Sequence, residues 1–183
     1  MSPEPVAEMK RHLAAAKAQS STQVEAASLP ARAEVEALVG ANPDARWTAL
    51  SDEERFFLFE LSPDARTAAS SDEVARAYCA GLTAVVADWW GLPGQATSGL
   101  QARFVAAGRA VAPCLRPLVS ATAALRYKDG ESNSLAHDHA WVLGDLAAGL
   151  AAAVIAESFD PSLPADARAA RRGEIAAALT AME

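Results

Sequence analysis

The stretch Ser51-Asp52-Glu53-Glu54-Arg55-Phe56-Phe57-Leu58-Phe59-Glu60-Leu61 decides the fold class. Ser51 followed three residues later by Glu54 has the spacing of a capping box, in which side chain and backbone satisfy each other's free donors at a helix start. Three consecutive acids then meet the positive end of the helix dipole. The spacing predicts a helix over 52–61. Its second half is apolar nearly all round, the pattern of a helix buried on several sides or of an exposed binding face; burial is the expectation.

Similar signals recur on both sides. Ser70 and Glu73 repeat the capping spacing, and Val74, Tyr78, Leu82, Val85 and Trp89 follow at helical intervals until Gly91-Leu92-Pro93-Gly94. Upstream, Ser2, Pro3 and Glu4 read as cap, first-turn proline and dipole acid of a helix carrying Val6, Met9, Leu13 and Ala16 on a thin apolar stripe. A short helix from Ala31 to Val39 is expected to stop at Gly40. Downstream, one helix closes at Gly108, the next has Pro113 in its first turn, and a long one runs from a Ser134 cap to Ser158. Ala165 to Met182 forms the last, with Ile175 and Leu179 inward. No segment alternates with the period of a strand. The expectation is an all-α fold, an irregular bundle or short stack of seven or eight helices, with residues 1–28 as an N-terminal helical arm and 29–183 as a single helical domain.

Composition bounds the function classes. With 183 residues the chain can bury a core unaided, although a quarter of it is alanine, which contributes helix propensity and little buried area. A net charge of −7 without basic blocks argues against nucleic acid. The run from Trp141 to Ala156 is too short, and broken by Asp145, for a membrane span; with no signal-peptide pattern the expected compartment is the cytoplasm. Cys79 and Cys114 lack metal-ligand or redox-motif spacing and read as small apolar residues.

Between Val105 and Val119, Ala107-Gly108 is followed by Ala110-Val111-Ala112-Pro113 and then by Leu115 and Leu118. This resembles the paired short helices of HEAT-like repeats. Trp90-Gly91-Leu92-Pro93 and Leu143-Gly144-Asp145-Leu146-Ala147-Ala148 are similar to segments of uncharacterised bacterial helical proteins of the same type, so that the likeness spans residues 89–175. It implies antiparallel helices stacked side by side and the binding of another macromolecule, and it implies no reaction. Fewer than three repeats can be marked, where solenoids need about three. Trp141 and Val142 stand where that pattern leads one to expect an arginine, so Asp145 needs another partner.

No residue set announces catalysis or a cofactor. Asp145 falls mid-helix among apolar neighbours, and a structural ion pair with Arg168 or Arg171 is expected. His137-Asp138-His139 supplies metal-ligand chemistry, but two residues apart on a helix the imidazoles diverge, so His137 and His139 stand only as a secondary metal reading. Trp89 and Trp90 at a helix end point about 100° apart, which makes it hard for one core to bury both: a tryptophan covered by the following loop is the more ordinary outcome, and one exposed beside Leu92 would be a protein-binding anchor. Together with Trp141 and, on the first helix, Met9 and Leu13, they are the candidate partner contacts. The leading expectation is therefore a non-enzymatic protein-interaction module, a scaffold, adaptor or assembly subunit that could self-associate. An immunity-type inhibitor of a basic toxin, and a helical enzyme holding a small molecule or metal, are the alternatives.

Overall fold

The computed structural model describes residues 3–20, 29–45, 47–84, 87–96, 98–128 and 130–182. The fold is all-α, and the chain divides into two compact units, Met1–Val85 and Val86–Glu183, where the sequence had suggested an arm and one domain.

The first unit holds α1 (Pro3–Ser20), α2 (Arg32–Ala41), α3 (Asp52–Leu61), α4 (Pro63–Ala68) and α5 (Ser71–Ala84). The capping box at Ser51 is complete: Glu54 N–H donates to Ser51 Oγ at 3.1 Å and Ser51 N–H to Glu54 Oε2 at 2.7 Å. The same reciprocal pair joins Ser70 and Glu73 before α5. Phe56, Phe57, Leu58, Phe59 and Leu61 are all buried. Phe56 sits edge-on to Phe57 and Tyr78, with ring centres 5.3 and 5.6 Å away. A Cβ built on Gly81 would lie 2.5 Å from Phe56, so only glycine lets α5 approach this closely.

Met9, Leu13 and Ala16 are buried, and α1 packs on α2 and α3. It is part of the first unit, tied at its polar side by Lys17–Glu53 and Lys10–Glu54 ion pairs. Gly40 lies inside α2, and the cap is Asn42, whose side-chain amide donates to Leu38 O at 2.9 Å.

The second unit begins with a 3-10 turn, Ala87–Trp89, and an antiparallel hairpin of β1 (Gly91–Leu92) with β2 (Gln95–Ala96), where the sequence showed only a helix break. Then come α6 (Ser98–Ala107), α7 (Ala112–Val119), α8 (Gly130–Asp138), α9 (Leu143–Val154) and α10 (Ala165–Thr180). α9 is the central element, packed against α6, α7 and α10, and Leu146, Ala147, Ala148, Leu150, Ala151 and Ala152 are buried along it. Two glycines let it sit so deep. A Cβ on Gly144 would lie 2.5 Å from Val119 O, and one on Gly149 would lie 2.6 Å from the Gly94 nitrogen. Cys79 is buried, Cys114 is half-buried, and neither is a free thiol.

The long helix expected from Ser134 to Ser158 is instead two, α8 and α9, broken at residues 139–142. The break has a defined chemistry. Trp141 N–H donates to Ala136 O at 2.9 Å and Ala140 N–H to His137 O at 3.0 Å, the paired bonds of a Schellman cap. Its left-handed residue is Ala140, with φ of 49°. α9 ends the same way at Ala156, φ 57°, with Glu157 N–H donating to Ala152 O and Ala156 N–H to Ala153 O.

Candidate functional site

The corner between α8 and α9 brings together most of the residues that the sequence singled out in the second unit. Asp145 stands in the first turn of α9, not mid-helix. Its Oδ2 accepts from Val142 N–H at 3.0 Å, half of a capping box, because valine has no side-chain acceptor to return the bond.

The carboxylate also pairs with two arginines of α10. Arg168 Nε lies 3.3 Å from Oδ2 and Arg172 Nη1 lies 3.1 Å from Oδ1. Asp145 is 0% exposed and Arg168 2%, so neither charge could be tolerated there without the other. The rest of the Arg168 guanidinium donates to Leu163 O, His139 O and Ala140 O. One buried side chain thus ties α10 to α9, to the loop before α10 and to the left-handed corner. Arg171, the other expected partner of Asp145, points elsewhere, to Glu157, Glu174 and Ser158 O. Its two carboxylate hydrogen bonds hold the guanidinium pKa above its usual value, with Glu174 the larger influence and Glu157 the next.

Trp141 is the next layer outward. Its indole N–H donates to Pro161 O at 2.9 Å, and its ring stacks on His139 with centres 5.1 Å apart and planes 12° from parallel. Pro161 is itself positioned by a turn in which the Ser162 hydroxyl and N–H both donate to Asp160 Oδ1, lowering that carboxyl's pKa. Trp141 joins Ala87, Tyr127 and Ala136 in a satellite core that Leu92, Leu125 and Leu135 flank.

An open groove of about 490 Å³ lies over this corner, lined by Ala124, Leu125, Arg126, Asn133, Ala136, His137, Ala140, Trp141 and Val142. One side is non-helical chain that runs antiparallel to residues 141–143, with Leu125 N–H donating to Trp141 O and Leu143 N–H to Ala123 O. Arg126 and His137 are exposed, and no carboxylate stands among the described lining residues. The floor is apolar and the rim basic.

The tryptophans and the α1 candidates are largely buried. Trp89 is 5% exposed, Trp90 0% and Trp141 5%, and Met9 and Leu13 are buried on α1; Leu92 is half-buried. Trp89, Trp90, Met9 and Leu13 are thus core side chains, whereas Trp141, though 5% exposed, lines the groove. The α-helical 100° argument for exposing one tryptophan lapses because Trp89 closes the separate 3-10 turn Ala87–Trp89 and Trp90 follows it, Trp90 against Phe104 at 6.1 Å. Val105 is the one large hydrophobic residue exposed among those described. His137 is exposed while His139 is stacked on Trp141, and among the described residues no group of three or more His, Cys, Asp or Glu side chains is placed to hold a metal. Also among the described residues, no helix is long and apolar enough to cross a membrane.

The first unit carries a smaller cavity of about 190 Å³, walled by Trp47, Leu58, Phe59 and Ala65 with Arg55, Asp64 and Glu73 as its charged lining. Trp47 is buried with φ of 48°, left-handed backbone that a bulky residue rarely adopts. Arg55 lies 3.5 Å from Asp52 and 3.9 Å from Glu73 and donates to Thr48 O. Its Nε is sealed without an acceptor. Sequence reading missed this cavity, because Trp47, Asp64 and Glu73 come from three separate segments and belong to no motif. No protein family model, curated protein or solved structure matches the chain.

Proposed function

We infer that the protein is a non-enzymatic binding module, and that its partner-binding surface is the groove over Trp141, occupied by an extended acidic segment of another protein. The observation that carries this reading is the rim: Arg126 and His137 stand over an apolar floor with no carboxylate among the described lining residues, in a chain of net charge −7. Opposite charge gives such a groove its selectivity. The adjoining strand-like chain suits an extended occupant, whose backbone lies along another extended segment. The volume falls within the usual range of binding clefts.

The proposal keeps the interaction role read from the sequence and moves its contacts from the buried tryptophan pair to the α8–α9 corner. A HEAT-like relationship of residues 89–175 is compatible with such a role, and both α6 and α7 pack on α9. No reaction is proposed.

Fluorescence anisotropy with three labelled unstructured peptides, glutamate-rich, neutral and lysine-rich, tests the reading. The glutamate-rich peptide should bind, more weakly as salt rises, and Arg126→Glu should weaken it at least about tenfold, equivalent to 1.4 kcal/mol. Equal binding of all three peptides, or none of the acidic one at low salt, overturns it.

A further inference from the structure

We propose that the cavity of the first unit is a second, separate binding site, and that it takes a small apolar-bodied amine, a single ring with an aminomethyl-sized substituent. Size sets the first limit. The cavity measures about 190 Å³, and an apolar cavity of about 150 Å³ in another protein accommodates benzene. Most of the wall is apolar, with the Trp47 ring, Leu58, Phe59, Val39 and alanines of α4 facing the space.

Charge sets the second. The lining holds one guanidinium and two carboxylates, Asp64 and Glu73. The guanidinium of Arg55 is already flanked by Asp52 and Glu73, and its one unpaired atom, Nε, is sealed from the cavity. Arg55 therefore offers an incoming anion little, while Asp64 and Glu73 repel it. The wider field has the same sign, since the first unit carries eight basic and thirteen acidic residues against eight and ten in the second. Glu73 remains anionic in the binding range, because the Ser70 N–H and hydroxyl bonds, aided by Arg55 and Arg76, lower its pKa. An ammonium beside Asp64 and Glu73, with its ring against Trp47, places positive charge at the acidic part of the lining and apolar surface at the apolar part.

Calorimetry with benzylamine, benzyl alcohol and benzoate as size-matched probes decides it. Benzylamine should bind at least about tenfold more tightly than the alcohol, with benzoate weakest. Asp64→Asn should erase most of that preference, and Ala68→Leu, which fills the cavity from an exposed position on α4, should abolish binding of the amine. Binding of benzoate as tight as that of benzylamine, binding untouched by Ala68→Leu, or no binding of any probe to a folded protein would each overturn the proposal.

Discussion

Arg168 of α10 reaches the Asp145 carboxylate with its Nε at 3.3 Å while its outer nitrogens hold the carbonyls of His139 and Ala140. A single buried guanidinium therefore carries both the charge balance of the α9 N-terminus and the shape of the corner beneath the groove. Asp145→Ala leaves that guanidinium buried without its counter-charge. The expected loss is about 3–5 kcal/mol, read by urea unfolding followed through the fluorescence of Trp89, Trp90 and Trp141. Arg172→Ala should cost less, because Arg172 is more exposed and Asp145 keeps Arg168. Equal costs would mean that the buried Arg168 pair contributes no more than the Arg172 pair.

The two left-handed alanines make a prediction of opposite sign. Ala140 and Ala156 occupy the cap position where glycine has no steric penalty. Ala140→Gly and Ala156→Gly should each stabilise the protein by about 1 kcal/mol, the approximate cost of the left-handed region for a residue with a Cβ. Denaturant midpoints that fall in both variants would contradict the cap geometry.

Gly144 and Gly81 should tolerate no side chain. At Gly144 the obstruction is backbone, the Val119 and Ala121 carbonyls, which cannot rotate away. At Gly81 it is the ring of Phe56. Alanine should cost about 1–3 kcal/mol at either site by overpacking, whereas Gly173→Ala, with open space around it, should be neutral or stabilising. Thermal unfolding of the three variants checks the ranking.

Glu73 gives the first unit a pH dependence. Hydrogen bonds from Ser70, then the charges of Arg55 and Arg76, lower its pKa below the ordinary carboxyl value of 4.5. A carboxyl lowered on folding contributes stability that is fully present above its unfolded value and is lost as the pH falls through the folded one. Stability should therefore decline below about pH 4.5. In Ser70→Ala, which loses the hydroxyl bond and keeps the backbone N–H bond, a minor part of that decline should vanish, along with about 1 kcal/mol of stability at neutral pH. Urea titrations at several pH values separate the two effects.

The helices with side-chain caps could be read from the chain, because Ser51 with Glu54 and Ser70 with Glu73 declare a start in four residues. The α8–α9 break could not. Its cap residue is alanine, the strongest helix former, and nothing short of the Trp141–Ala136 and Ala140–His137 hydrogen bonds distinguishes it from continuous helix. That same misreading placed Asp145 mid-helix. Arg168 was legible as a partner of Asp145 because a buried acid needs a base, but choosing Arg172 over Arg171 requires the orientation of α10 on α9. Trp89 and Trp90 are hard to read for a related reason: the helical spacing through Val74, Tyr78 and Leu82 continues to Trp89 in the sequence, whereas Trp89 belongs to a separate 3-10 turn.

The most direct test of the central claim follows the indole N–H signals of the four tryptophans by NMR while a glutamate-rich peptide is added. Trp141, as the floor of the groove, should shift most and saturably, with Trp47, Trp89 and Trp90 little changed, and Arg126→Glu should suppress the shift. An unmoved Trp141 signal, or an equal response to a lysine-rich peptide, would contradict the assignment of the groove as an acidic-segment binding site.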